Sequence, residues 1–298
     1  MDKVEFTADS EAKRVDVFLS DKFKQSRSYF ANLISDGRVL MNGKQPRKSD
    51  GVRTGYTFSV EFPKEKMPDI TPKEIPFEIT FDSARYAIIN KPAGITVHPS
   101  PGHYEDSLIN GLLYAFNIND DKEAFRPGIV HRLDKDSSGL LVVAKDRQAR
   151  ETLSRLFHDR LIDKYYLAIA CGAARQKRLL IDAPIGRDKK NRQRMAVCEG
   201  GRPARTEITV VEQYKTAFLA DIRIYSGRTH QIRTHLKYIG HPLLGDKLYG
   251  GNRGTGDLIS RQALHAYKLE FVDPFTKEKI SVSAELPKDM AELRLKLS

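Results

Sequence analysis

The stretch HRLDKDSSGLLVVAK, from His131 to Lys145, constrains the fold more than any other part of the chain. Its apolar run, Leu140 to Ala144, follows the turn signal Ser-Ser-Gly. Such a run is too short for a stable helix and reads as a strand buried in a sheet. Asp134 therefore falls in the loop that feeds a core strand, where a rigid scaffold can hold a reactive group beside a cleft. The plainer reading is that Asp134 and Ser137 only cap a turn.

Three chemistries compete for the charged half of this stretch. Asp134, Asp136, Ser138 and Gly139 match the opening of a calcium loop. That loop needs a bidentate glutamate at its twelfth position, and Lys145 stands there. Asp134 and Asp136 also have the spacing of phosphatases that form an aspartyl-phosphate. In those the pair directly follows an apolar strand, whereas here His131 and Arg132 intervene and the strand comes afterwards. The third chemistry is a carboxylate held among cations, acting as a nucleophile or acid–base group without a metal.

With 298 residues the chain can bury a full core, and one large domain with a small one is expected. No apolar run approaches a membrane span, so no membrane partner is expected. The opening MDKVEFTADSEAKR lacks an apolar signal region and carries acids that a transit peptide avoids. Two cysteines, Cys171 and Cys198, are too few for a disulfide framework or a zinc cluster. A cytoplasmic location fits these features.

The formal charge of +11 suggests a polyanionic partner, and its distribution says more than its total. Arg175 to Arg205 holds ten Lys and Arg against Asp182, Asp188 and Glu199, a net of +7. Such a run is usually a solvated surface loop. Beside a reactive carboxylate it reads as a surface gripping phosphates, with Arg187, Lys189, Lys190, Arg192 and Arg194 as candidates.

Six motifs in order carry a resemblance to a known family. They are NKPAGITVHP (Asn90–Pro99), HRLDKDSSGLLVVAK, KYYLA (Lys164–Ala168), PIGRDKKNRQRMAV (Pro184–Val197), GRTHQIRTHL (Gly227–Leu236) and ALHAYKLEFVDP (Ala263–Pro274). The set resembles the RluA/RluD-type family of pseudouridine synthases from about Arg85 to Pro274. Ser137 stands where that family more often has threonine, which keeps the hydroxyl. The resemblance implies an isomerase that turns uridine in RNA into pseudouridine, with Asp134 as the carboxylate near the anomeric carbon. It implies that Arg233 pairs with Asp134, favouring its charged form. Tyr166, rather than Tyr165, would stack on the uracil and assist proton transfer. Arg132 would fill the space left by the extruded nucleoside. His131 is expected to hold the loop, and His230 and His235, five apart, to be structural or phosphate-facing rather than metal ligands. The reaction has no redox step and loses no group, so neither a cofactor nor a metal is expected.

The first residues form a separate module. Ser26 can cap a helix carrying Tyr29, Phe30, Leu33 and Ile34 on one face, ended by Gly37. Strands are expected at Arg38–Gly43 and Gly55–Phe62. SRSYFANLISDGRVLMNGK with the later RTGYTFSV resembles the S-four-type RNA-binding domain. From Arg27 to Arg53 six cations stand against Asp36 and Asp50, and Arg27, Arg38, Lys44, Arg47 and Lys48 are candidates for contacts to an RNA backbone. The expected division is 1–62 for this domain, a proline-broken linker at 63–75, and 76–298 for the catalytic domain.

In the catalytic part, strands are expected at Tyr86–Asn90 and Ile95–His98, flanking the Pro-Ala-Gly turn. Further strands are expected at Tyr165–Ala170, Thr206–Val211, Phe218–Tyr225 and His265–Phe271. Asp106 and Asp146 can each cap a helix, the second burying Leu153, Leu156 and Phe157, and another helix should run from near Thr229 to Gly240. Few regular βαβ units favour an α+β fold, a mixed and largely antiparallel sheet with flanking helices, beside the small N-terminal α/β module. The expected partner is RNA, with large-subunit ribosomal RNA favoured, transfer RNA second, and the protein acting as a monomer. The competing reading is a non-catalytic RNA-binding assembly factor on the same scaffold.

Overall fold

The computed structural model describes residues 2–23, 25–62, 70–99, 105–116, 118, 127–251 and 258–298. The chain divides into two compact units, residues 1–69 and 70–298. Part of the expected linker, residues 63–69, lies outside the described residues.

In the first unit, strand β1 (Asp2–Thr7) precedes helices α1 (Val15–Phe23) and α2 (Arg27–Ser35), then β2 (Val39–Met41) and β3 (Thr57–Phe62). Ser26 caps α2 by accepting the Tyr29 N–H at 3.2 Å, and Gly37 follows the helix in the left-handed region. The helices bury Val15, Phe18, Leu19, Phe30, Leu33 and Ile34 against Val39, Phe58 and Val60 of the sheet. Strand β1 and helix α1 have no counterpart in the sequence reading. The fully paired β1–β3 register closes around residues fifty or more positions away.

The second unit opens with β4 (Glu78–Asp82) and β5 (Tyr86–Lys91), then α3 (Leu108–Phe116), β6 (Ser138–Ala144) and α4 (Arg147–His158). Strand β7 (Asp163–Cys171) precedes the short strands β8 (Arg178–Asp182), β9 (Ile185–Arg187) and β10 (Met195–Val197). The long strands β11 (Arg205–Gln213) and β12 (Ala217–Ile224) follow, then α5 (Gln231–Tyr238), β13 (Leu264–Val272), β14 (Lys279–Ser283) and α6 (Lys288–Leu297). Nine strands form one sheet in the order β4-β5-β6-β13-β7-β12-β11-β8, with β14 also paired to β13. Every pairing is antiparallel except β13 with β6, so the expected mixed, largely antiparallel sheet is present.

Strand β6 is buried along its whole length. Leu141 and Val143 join one apolar cluster with Leu112, Ala168, Ile222 and Leu236. Leu140 and Val142 join another, with Tyr86, Ala149 and Leu153. A strand covered on both faces must be apolar at consecutive positions, which is why Leu140–Ala144 carries no alternation. Asp146 caps α4 through the Ala149 N–H at 2.8 Å, and that helix covers the second cluster.

Some expectations fail. Ile95–His98 forms no strand, because the main chain there turns around a buried lysine, described below. Helix α3 does form where one was expected, beginning at Leu108 after Ser107, whose hydroxyl meets Asn110 Oδ1 at 2.5 Å. Helix α5 starts two residues later than Thr229. Strands β4, β8, β9, β10 and β14 and helix α6 were not anticipated.

Candidate active site

Asp134 sits in the loop before β6, and that loop is fastened from several sides. The His131 ring stacks on Phe157 with centroids 4.1 Å apart, and its Nε2 accepts the Val142 N–H at 2.8 Å. Accepting that bond requires an unprotonated Nε2, and burial holds the His131 pKa down to about 3. Ser137 N donates to the Asp134 carbonyl at 3.1 Å, and the Ser137 hydroxyl accepts from Gln262 at 3.3 Å. Ser138 bonds His265 at 2.9 Å. Gly139 has φ +117°, and a Cβ there would lie 2.3 Å from the Ala266 carbonyl oxygen. Only glycine lets β6 approach β13 this closely.

Lys91 ties the preceding motif to the same loop. Wholly buried, its Nζ donates to the carbonyls of Pro92, Ile95 and Lys135 at 2.8, 3.0 and 3.0 Å. The Gly94 N–H adds a second bond to the Lys135 carbonyl at 3.0 Å. Burial draws the Lys91 pKa down to about 7, against the pull of Asp136. The Asn-Lys-Pro-Ala-Gly turn is thus a buttress for the Asp134 loop.

Helix α5 brings the counter-charge. Arg233 Nη1 donates to Asp134 Oδ2 at 3.0 Å. The other edge of the guanidinium is taken by Asp246, Nε to Oδ2 at 2.7 Å and Nη2 to Oδ1 at 3.0 Å. Burial opposes the charge on Arg233, but the two carboxylates outweigh it and raise its pKa. Asp246 is itself buried and accepts the N–H groups of Leu248 and Tyr249 at 3.2 and 3.1 Å. The preceding Gly245 is in the left-handed region, and a Cβ there would meet the Arg261 carbonyl oxygen at 2.0 Å. No donor among the described residues engages Asp134 Oδ1. The Asp134 side chain keeps 19% of its surface exposed.

Two cavities meet at Asp134. A cleft of about 580 Å³ runs past His98, Lys135, Asp246, Lys247 and Arg261. A side pocket of about 100 Å³ is lined by Tyr166, Ile224, Ile232 and Leu264. Arg132, Leu133, Asp134, His230 and Arg233 border both. Tyr166 faces this pocket from β7, while Tyr165 points to the opposite side of the sheet, against Tyr267 and Arg223. No hydrogen bond among the described residues engages the Tyr166 hydroxyl. Its pKa is pushed up, by burial first and then by the charge of Asp134.

The structure thus gathers Asp134, Tyr166, Arg233 and Arg132 into one site. Arg187, Lys189, Lys190, Arg192 and Arg194 lie on the β9–β10 hairpin, whose Met195 N–H donates to the Tyr249 hydroxyl at 2.7 Å beside α5. Arg194 is half-buried and the others of that set are exposed. Arg27, Arg38 and Lys44 belong to the first unit, where Arg27 also lies 3.4 Å from Asp16. His235 is structural: it is buried, bonding Thr206 Oγ1 at 2.8 Å and the Ala183 carbonyl at 3.0 Å. His230 faces the Asp134 carboxylate, Nε2 to Oδ2 at 3.8 Å. Among the described residues no cluster of three or more His, Cys, Asp or Glu could hold a metal ion.

Sequence reasoning missed Asp246, although GDKLYG (Gly245–Gly250) combines a left-handed glycine with a buried acid. It also missed a second group of cations. Arg160, Lys164 and Arg205 line a hollow of about 210 Å³ next to Ile224. Arg228, on the wall of the side pocket, has its pKa lowered by burial and by the nearby Arg160 and Arg202. Asp163 is the one carboxylate lining that hollow among the described residues, and Arg223 already pairs with it at 2.6 Å. Among the described residues no helix is long and apolar enough to cross a membrane.

A family model described as RNA pseudouridylate synthase matches residues 85–238. The chain is 40% identical over 297 residues to the uncharacterized RNA pseudouridine synthase YlyB of Bacillus subtilis, covering 98% of this chain and 97% of that one. It is 39% identical over 278 residues to ribosomal large subunit pseudouridine synthase D of Zymomonas mobilis, covering 89% and 87%. Among solved structures, human RNA pseudouridylate synthase domain containing 1 matches with a TM-score of 0.60 at 28% identity. That match covers 70% of this chain and 83% of that one.

Proposed function

The chain belongs to the RNA pseudouridylate synthase family and is an isomerase acting on RNA, and we propose that Asp134 is its reactive carboxylate. The reaction breaks the bond from uracil N1 to the ribose anomeric carbon, turns the base, and rejoins it through C5. The base loses the C5 proton and gains one at N1, so atoms and charge balance without a co-reactant. What the protein must supply is a carboxylate at the sugar and walls that keep the detached base in place.

The observation that carries this reading is the asymmetry of Asp134. Oδ2 is bound to Arg233, no donor among the described residues engages Oδ1, and the residue lines the side pocket together with Tyr166. Oδ1 is then the oxygen that meets the sugar, either as nucleophile or as base. The Tyr166 ring forms a wall for the uracil, and its hydroxyl is available for proton transfer. Extruding the nucleoside costs a few kcal/mol of stacking, which Arg132 offsets by occupying the gap with its planar guanidinium.

The substrate we favour is large-subunit ribosomal RNA, because relatives such as the Zymomonas mobilis protein carry that assignment in their names. The first unit is read as an S-four-type domain that grips the RNA backbone through Arg27, Arg38 and Lys44. The β9–β10 hairpin, with Arg187, Lys189, Lys190, Arg192 and Arg194, adds further phosphate contacts.

The deciding experiment compares wild type with Asp134→Asn. The variant should bind RNA with unchanged affinity and form no pseudouridine. Normal turnover would remove Asp134 from the role. Mapping pseudouridines in ribosomal RNA from cells with and without the gene identifies the target. No difference between the two maps would rule out ribosomal RNA.

A further inference from the structure

His230 occupies a position that helix capping does not explain. Its φ and ψ are 53° and 26°, in the left-handed region that few non-glycine residues adopt, asparagine, aspartate and histidine most often among them. It stands at the N-cap of α5, yet its side chain makes no capping bond there. The strained turn is locked by the buried Gln231. The Gln231 Oε1 accepts the Arg228 N–H at 3.0 Å and the Ser226 hydroxyl at 2.8 Å, and its Nε2 donates to the Arg205 carbonyl and Thr206 Oγ1, both at 3.0 Å. A backbone held in a disfavoured conformation by this much bonding points to a use for the side chain it presents.

The ring's proton can be assigned. His230 Nδ1 lies 2.9 Å from the Tyr249 hydroxyl, whose oxygen already accepts the Met195 N–H at 2.7 Å. The Thr234 hydroxyl donates to the same oxygen at 3.4 Å, so the single Tyr249 proton is left for Nδ1. Nδ1 is then the acceptor, and the neutral ring carries its proton on Nε2. Nε2 faces Asp134 Oδ2 at 3.8 Å, the same oxygen that Arg233 holds at 3.0 Å. That gap is too long for a hydrogen bond, and such contacts shorten when a substrate closes the site. The charged and titratable groups around the ring are Asp134, Arg233, Asp246, Arg132 and Tyr249. Burial keeps the ring towards its neutral form.

We infer that His230 is a positioning residue for Asp134, donating Nε2–H to Oδ2 in the RNA complex so that Oδ1 alone is presented to the ribose. The inference rests on the reading of Asp134 as the reactive carboxylate. Two donors on one oxygen fix the plane of the carboxylate, and angular control of this kind separates a reactive geometry from a merely close one.

The test is His230→Gly, which accepts the same backbone angles without strain. Single-turnover pseudouridine formation at saturating RNA should fall roughly 10- to 100-fold, while RNA affinity stays within twofold. Added imidazole should restore part of the rate in this variant and leave wild type unaffected. His230→Asn, which also tolerates the left-handed region, serves if the glycine variant fails to fold, with the same split between rate and affinity expected. A wild-type rate in either variant would overturn the inference, as would rate and affinity falling together with no rescue by imidazole. If Asp134→Asn is inactive while His230→Gly is as fast as wild type, only this inference fails. If Asp134→Asn itself turns over normally, the reading of the site fails with it.

Discussion

Asp246 grips Arg233 with both carboxylate oxygens, at 2.7 and 3.0 Å, and so determines which nitrogen of Arg233 reaches Asp134. The Asp246 side chain is fully buried and that of Arg233 is 8% exposed. Removing Asp246 leaves a buried guanidinium with half its charge partners, a change that costs about 3–5 kcal/mol in comparable sites. Asp246→Ala should therefore lower unfolding free energy by about that amount and reduce pseudouridine formation at least 100-fold, with RNA affinity kept. Urea denaturation and single-turnover assays check both, and wild-type values in the two would contradict the arrangement.

Tyr166 separates ring from hydroxyl. Tyr166→Phe keeps the wall of the side pocket, so stability should change by less than about 1 kcal/mol. If the hydroxyl transfers a proton, the rate constant should fall on the order of 100-fold with unchanged RNA affinity. A phenylalanine variant that reacts as fast as wild type would restrict Tyr166 to stacking.

The cations of the first unit can be tested without touching the site. Replacing Arg27, Arg38 and Lys44 together by alanine should weaken RNA binding and flatten its dependence on salt, by about 0.7–0.9 in log–log slope for each phosphate that is no longer neutralised. The rate at saturating RNA should be unaffected. The same measurement on Arg160→Ala with Arg202→Ala reports whether the second group of cations also meets the backbone. An unchanged slope in either set would remove that set from the interface.

Stability should fall in acid well before the carboxylates of an ordinary surface titrate. His131 and His265 have their pKa values lowered by burial from 6.5 to about 3 and about 4. Between pH 6.5 and those values the unfolded chain binds protons that the folded protein refuses, so unfolding becomes easier as pH drops. Each histidine contributes about 1.4 kcal/mol per pH unit across that window, or roughly 2 kcal/mol by pH 5. Urea unfolding at pH 7 and pH 5 measures this, and equal or greater stability at pH 5 would contradict it.

The features legible in the sequence were those set by neighbours along the chain. Ser26 and Asp146 cap the helices that follow them because a short polar side chain reaches an N–H three residues on. Leu140–Ala144 announces a strand covered on both faces, and the loop before it follows from adjacency alone. The family motifs singled out Asp134, Tyr166 and Arg233, which the fold gathers around one pocket. What could not be read were relations across sequence distance. Asp134 and Arg233 are 99 positions apart, and their pairing depends on β6, β7 and β13 placing the loop and α5 on the same side of the sheet. The role of Asp246 was invisible because a carboxylate in a glycine-rich turn looks like any surface turn until its partner is known.

The order of residues thus determined the local elements, the basic segments and the candidates for the reactive groups, since these arise from side-chain chemistry and near-neighbour hydrogen bonds. Tertiary structure alone decided that Asp134 shows one free oxygen, that Arg233 is held by a second acid, and that a strained turn aims His230 at their pair. These depend on the packing of elements far apart in the chain. Burial then gives each charge its strength, and burial exists only once the chain has folded.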